Sequence, residues 1–186
     1  MRVFVAIFPP PEIRKKTLVS ARRLSSEDRV RWTRPENVHL TLKFLGDVRK
    51  ETLDDLRAAL GEACAGHAPF DVALAGLGAF PSTRRARILW AGVGAGSNRL
   101  RSLATDIDAA LAPLGFEREK RPYVPHLTLG RVRGRPASLD LPSTTRKLRF
   151  RVRHVELMES TLTAEGATYR TVEDFALEGD YLGNEI

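Results

Sequence analysis

The stretch NVHLTLKFL, residues 37–45, decides how this chain is read. Apolar and polar residues alternate strictly along it, which is the period-two signature of a half-buried β-strand. Val38, Leu40, Leu42 and Phe44 are expected on one face, with His39, Thr41 and Lys43 on the other. A second copy of its core, HLTL, recurs at residues 126–129, within the strand candidate VPHLTLGRV of residues 124–132. The two histidines stand 87 positions apart, and each tetrapeptide occupies a corresponding place in its half of the chain. That placement predicts two similar lobes, each offering one strand to a shared cleft.

Working outward, RVFVAIF at residues 2–8 reads as a buried strand stopped by three prolines, Pro9 to Pro11. Helical spacing follows over residues 11–24, again over 50–65 (Leu53, Leu56, Leu60), and over 99–114. Residues 70–77 and 87–93 read as strands joined by a loop carrying Pro81. Residues 148–157 and 168–177 read as two more, with a hairpin turn around Glu165 and Gly166. The resulting order, β, α, β, α, β, β, α, β, β, β, is a mixed α/β fold of the α+β type with hairpins. It is not a doubly wound parallel sheet.

Composition narrows the function classes. The chain has 186 residues, 42% hydrophobic and 28% charged, so disorder is a poor account of it. Its net charge is +7 and 24 of its 30 cations are arginine, which suits bidentate phosphate recognition. A single cysteine, Cys64, excludes an internal disulfide framework and a thiolate metal cluster. No apolar run approaches the roughly 20 residues that cross a bilayer. The expectation is a cytoplasmic protein with no membrane association. The glycines at 92, 94 and 96 lack the βαβ setting and acidic partner of a dinucleotide loop, and read as a helix-start loop.

On each motif strand, the histidine and the threonine two residues later share a face about 7 Å apart. Two such strands gather two imidazoles and two hydroxyls around one point. Histidine changes protonation near neutral pH, so one copy can act as base while the other acts as acid. The hydroxyls can hold anionic oxygens, and the set suits displacement at phosphorus. The four histidines show neither i, i+4 pairing nor an acidic partner on a motif face, so no metal or other cofactor is expected. His67, in a Gly/Ala/Pro turn, and His154, assigned to the face of Phe150 and Val152, read as structural.

RWTRPENVHLTLKFLG (residues 31–46) and PYVPHLTLGR (residues 122–131) resemble the two His-x-Thr-x signatures of the two-histidine (2H) phosphoesterase superfamily. Within it the nearest resemblance is to the RNA 2′,3′-cyclic phosphodiesterase family, long called 2′-5′ RNA ligases. RVFVAIFPP and LMESTLTAEGATYRTVEDFAL (residues 157–177) resemble that family's opening strand and closing hairpin, so the likeness spans nearly the whole chain. It implies one bilobal domain over residues 1–186, with a central cleft between lobes of mixed or antiparallel sheet and helices outside.

The resemblance further implies metal-independent opening of a terminal 2′,3′-cyclic phosphate on RNA to a 2′-phosphomonoester. His39 would be the proton donor to the leaving 3′-oxygen and His126 the proton acceptor that activates water. Thr41 and Thr128 would hold the phosphate, with Arg131 a candidate further contact. The expected partner is RNA with a cyclic phosphate end, transfer-RNA fragments among the candidates, and the expected form is a monomer. ATP-independent 2′-5′ ligation, a small cyclic nucleotide as substrate, or an RNA- or nucleotide-binding module without turnover remain alternatives.

Regular pleating puts Arg131 opposite His126 and Thr128, and only a bulge or twist at Gly130 would bring it into the cleft. Arg149, Arg151 and Arg153 form a basic stripe that either follows an RNA backbone or is simply solvated. Phe8, Trp32 and Tyr123 are candidates either to stack on a base or to join the core.

Overall fold

The apolar run of residues 3–8 does what its composition dictates: Val3, Val5 and Ile7 are at most 3% exposed and join a core shared with α-helices on the same side. Phe4 and Ala6 are buried on the other face. The computed structural model describes residues 1–24, 29–141, 148–164 and 166–179. In chain order these form β1 (Arg2–Ile7), α1 (Pro11–Leu24), β2 (Val30–Trp32), β3 (Leu40–Asp47), α2 (Leu53–Ala65), β4 (Phe70–Phe80), β5 (Ile88–Val93), α3 (Ser97–Leu111), β6 (His126–Val132), β7 (Arg149–Val152), β8 (His154–Thr163) and β9 (Gly166–Ala176). The fold is mixed α/β. The short β2 was not evident in the sequence. Glu165, at the expected hairpin turn, lies outside the described residues.

The strands form one curled antiparallel sheet in the order β7-β4-β5-β6-β3-β1-β8-β9, with β2 added against β6. The order is symmetric about its middle, where β3 and β6 meet through the single pair Leu40↔Leu127. Each motif strand is flanked by the strand before a helix, β1 for β3 and β5 for β6. The helices are α1 after β1 and α3 after β5. Leu40, Leu127 and Leu129 are fully buried on the helix side with Leu56, Leu60, Leu100 and Ile107. Each such leucine contributes about 1.5–3 kcal/mol by leaving water. The opposite face of the two central strands carries the histidines and threonines.

The register shifts at several places in the sheet, and two of the shifts fall on the last leucine of a motif. In β3, Val5 pairs with Lys43 but Ala6 pairs with Thr41, so Leu42 is an extra residue in the ladder. This bulge reverses the expected faces beyond it. Lys43 turns into the core at 3% exposure, while Phe44, expected inside, is 69% exposed beside Phe4 with ring centroids 6.1 Å apart. The buried Lys43 ammonium is neutralised by Asp108 at 2.5 Å and also donates to the Glu117 carbonyl at 2.8 Å. Burial alone would raise the Asp108 carboxyl. Hydrogen bonds from Lys43, the Glu119 N–H and Arg118 outweigh it and hold the group below its ordinary value.

The second bulge is at the matching place in β6. Leu89 pairs with Gly130 but Trp90 pairs with Thr128, leaving Leu129 as the extra residue. Gly130 is needed because β2 runs close over it. A Cβ there would lie 2.5 Å from Val30 Cγ1 and 3.2 Å from the Arg31 carbonyl oxygen. A third departure concerns His154, expected on the face of Phe150 and Val152. The strand breaks at Arg153, so those two stay buried while His154 turns outward.

Candidate active site

Each motif histidine is held in the same way. His39 Nδ1 lies 2.8 Å from the Asn37 carbonyl and His126 Nδ1 lies 2.7 Å from the Val124 carbonyl, in both cases two residues back. A carbonyl only accepts, so Nδ1 carries the hydrogen in both rings and Nε2 is left as the exchangeable nitrogen. Extending the Leu40↔Leu127 pair by one residue sets His39 across from Thr128 and Thr41 across from His126. All four side chains are half-buried, and neither threonine hydroxyl is committed to a partner among the described residues.

The walls around the two imidazoles differ. His39 is enclosed by Phe4 and Phe8, each with its ring centroid 5.0 Å away, and meets the edge of Tyr169 at 5.4 Å. His126 leans on Phe80 at 5.0 Å and Trp90 at 6.2 Å. Trp90 reaches that place by lying flat over its cross-strand partner Gly78, where any side chain would collide with the indole. Burial drives the His39 pKa down to about 4. The Asn37 carbonyl opposes this, and the nearby charges of His126 and Arg14 add to the lowering.

Arg131 lies beyond the Leu129 bulge and lines a cavity of about 410 Å³ together with Trp32, Asn37 and Tyr169. The bulge therefore turns the guanidinium to the motif side, opposite to what regular pleating gives. The equivalent residue of the first motif, Phe44, is turned by its own bulge in the same sense.

Of the three aromatic candidates, Phe8 packs on His39 and carries Arg14 above it at 5.7 Å. Trp32 is covered by Arg22 at 5.6 Å. Tyr123 packs against the main core with its hydroxyl buried and its pKa raised by that burial. His67 is a structural residue bonded to Asp106 at 2.8 Å.

Asn37 was not singled out from the sequence. Besides its carbonyl bond to His39, its side-chain amide donates to the Ala167 carbonyl at 2.8 Å, tying the loop before β3 to β9. Its signal was position: both motif histidines use the carbonyl two residues earlier. Among the described residues, the one group with metal-ligand chemistry is His154, Glu156 and Asp174, whose donor atoms lie within 4.8 Å of one another. It belongs to β8 and β9, and none of its members comes from a motif strand. No helix among the described residues is long and apolar enough to cross a membrane.

Two half-exposed imidazoles with free Nε2 atoms, two uncommitted hydroxyls and arginines nearby can move protons on both sides of an anionic centre. The family model described as LigT like Phosphoesterase matches residues 7–90 and 93–169. The RNA 2′,3′-cyclic phosphodiesterase of Aquifex aeolicus is 32% identical over 185 residues, covering 96% of this chain and 98% of its own length. That of Archaeoglobus fulgidus is 36% identical over 179 residues, covering 94% of this chain and 99% of its own. A solved structure from Thermus thermophilus superposes with a TM-score of 0.85 at 31% identity, covering 97% of this chain and 100% of its own. Escherichia coli LigT complexed with 3′-AMP gives 0.82 at 27% identity, covering 95% and 97%. With a family match over nearly the whole chain and the paired His-x-Thr strands at the centre of its sheet, this chain belongs to the LigT-like phosphoesterase family.

Proposed function

We propose that residues 1–186 act as one bilobal catalytic domain that opens the 2′,3′-cyclic phosphate at an RNA end to a 2′-phosphomonoester. The observation that carries this reading is the matched pair of imidazoles, each with Nδ1 tied to a carbonyl and Nε2 free, set across from the other motif's threonine. Water attacks phosphorus as its proton passes to His126 Nε2. The bond from phosphorus to the 3′-oxygen breaks, and His39 Nε2–H supplies the proton that makes the 3′-hydroxyl. Thr41, Thr128 and Arg131 hold the non-bridging oxygens as charge builds on them. A proton comes in at His39 and another leaves from His126, so solvent exchange resets the site without metal or other cofactor.

In the free site His39 is neutral at pH 7, because its pKa is about 4. A donor must carry the second proton, and the anionic ring phosphate supplies the charge that favours it. Substrate binding therefore brings in a proton, and the acid is assembled only when the anion is present. RNA ends, transfer-RNA fragments among them, are the substrate in this reading, with a monomer in the cytoplasm as the working form.

The test is incubation of the purified protein, in chelator, with a short RNA ending in 2′,3′-cyclic phosphate, followed by identification of the product isomer. A 2′-phosphate is expected, and His39→Ala and His126→Ala should each lower kcat by about 10²–10⁴-fold. A 3′-phosphate would reverse the assigned orientation. Binding without ring opening would replace the enzyme by a binding module.

A further inference from the structure

Two members of the arginine stripe, Arg151 and Arg153, have no role in the proposed ring opening and line a cavity on the His39 side of the cleft. This cavity has a volume of about 850 Å³ and is walled by Phe8 and Tyr169, the same rings that pack on His39. It is separated from the smaller Arg131 cavity by the Asn37–Ala167 hydrogen bond, since Asn37, Ala167 and Tyr169 line both. Its lining holds four guanidinium groups, Arg14, Arg34, Arg151 and Arg153, against the carboxylates of Glu36 and Glu156.

These guanidiniums differ in what holds them. Arg14 donates to the carbonyl oxygens of Pro35 at 3.3 Å and Glu36 at 2.9 Å, which are neutral acceptors. Arg153 meets no carboxylate among the described residues. Arg151 is bonded on an exposed edge to Asp71 at 3.3 Å and to the Pro69 carbonyl at 3.3 Å, a surface pair of little stability that a phosphodiester can compete for. Glu156 is half-buried, its carboxyl pKa is raised by burial and by the charge of Asp174, and His154 stands 3.6 Å from it. Phe8 and the adjoining prolines at 9–11 give this basic lining one flat apolar wall.

A 2′,3′-cyclic phosphate is the 3′ end of its strand, so every other nucleotide lies on its 5′ side and must leave the cleft through one opening. We propose that the cavity between Phe8, Tyr169 and Arg153 is a subsite for the RNA strand on the 5′ side of the reacting phosphate. In it Arg153 and Arg151 contact the preceding phosphodiester and Phe8 and the proline shelf face a base. The inference rests on the ring-opening reading above and names the part of the substrate that reading leaves unplaced. It gives the arginine stripe a ligand, and it makes the enzyme favour a strand over a mononucleotide.

The experiment compares a hexaribonucleotide ending in 2′,3′-cyclic phosphate with 2′,3′-cyclic AMP, for the wild type, Arg153→Ala, Arg153→Lys and the Arg151→Ala/Arg153→Ala double variant. The expected result is a rise in hexamer KM of about threefold to fivefold in Arg153→Ala and about tenfold in the double variant. Arg153→Lys should restore most of it, and kinetics on cyclic AMP should move less than twofold. Binding of a hexamer ending in 3′-phosphate, read by fluorescence anisotropy, should lose about 0.7 of its logarithmic salt slope per arginine removed. Equal changes on both substrates, or an unchanged hexamer KM and salt slope, would overturn the subsite. If the wild type opens neither ring, the ring-opening reading fails, and the anisotropy arm still decides whether the strand lies here.

Discussion

Acidification is expected to expose the burial of His39 as a loss of fold stability. Its pKa of about 4 lies below the ordinary 6.5, so the unfolded chain takes up the proton first as pH falls. The contribution is therefore fully present above pH 6.5 and is lost progressively down to about pH 4. At 1.36 kcal/mol per pKa unit, the loss between pH 7 and pH 4 comes to about 3 kcal/mol, and to about 1.4 kcal/mol at pH 5.5. That is an upper bound, because the ring is half-buried and part of it meets solvent in the open cleft. Urea unfolding at pH 7, 5.5 and 4 measures it, with His39→Gln as the reference that cannot titrate. The wild type should lose stability faster than the variant over that window. In a companion titration by NMR, the His39 midpoint should lie near pH 4 in the free protein and rise in saturating inorganic phosphate. Parallel unfolding profiles, or a free midpoint near 6.5, would refute the argument that the aromatic wall desolvates this ring.

Lys43→Met should destabilise the fold by about 3 kcal/mol, measured by urea unfolding, because it leaves the buried Asp108 carboxylate without its closest cation. Adding Asp108→Asn should recover part of that loss, and no recovery would show that packing of the lysine stem dominates. Gly130→Ala should cost about 1–3 kcal/mol, seen as a lower Tm, because the new Cβ meets Val30 and the Arg31 carbonyl. The same variant should raise KM more than it lowers kcat, since it disturbs the bulge that turns Arg131 while leaving both histidines tied to their carbonyls. A wild-type Tm would mean that β2 simply moves aside.

The order of elements was legible because each element carries its own periodicity. The RVFVAIF strand, the helix of residues 11–24 and the second HLTL strand sit where apolar spacing placed them. The first HLTL strand, expected from Asn37, starts at Leu40 because Pro35–Asn37 form a 3-10 turn. Faces were legible only while the ladder stayed regular. Alternation is a statement about one strand, whereas a bulge is a property of a pair, and neither Leu42 nor Leu129 differs in kind from its neighbours. The outward Phe44, the inward Lys43 and the turned Arg131 all follow from that single blind spot. Gly130 was the one local hint, because a glycine in a strand often marks a bulge or a close backbone approach. The break at Arg153, which sends His154 to the other face, left no mark in composition. Nor did the aromatic walls, since Phe4, Phe80, Trp90 and Tyr169 reach the histidines through neighbouring strands.

Those walls supply what the two motifs alone lack. HLTL is identical in both halves, each histidine is tied back to the same relative carbonyl, and the last leucine of each motif is a bulged residue. In the proposed reaction acid and base must nevertheless differ, and a symmetric sequence cannot make them so. The difference enters from the flanking strands. On one side three aromatic rings and the Arg14 charge surround His39. On the other, Phe80 and Trp90, the latter lying over Gly78, support His126. The bulges extend the asymmetry five residues on, since the same backbone device delivers an aromatic ring at Phe44 and a guanidinium at Arg131. A fold of two matched halves can thus present matched imidazoles in unmatched surroundings, which is the condition for one to give a proton while the other takes one.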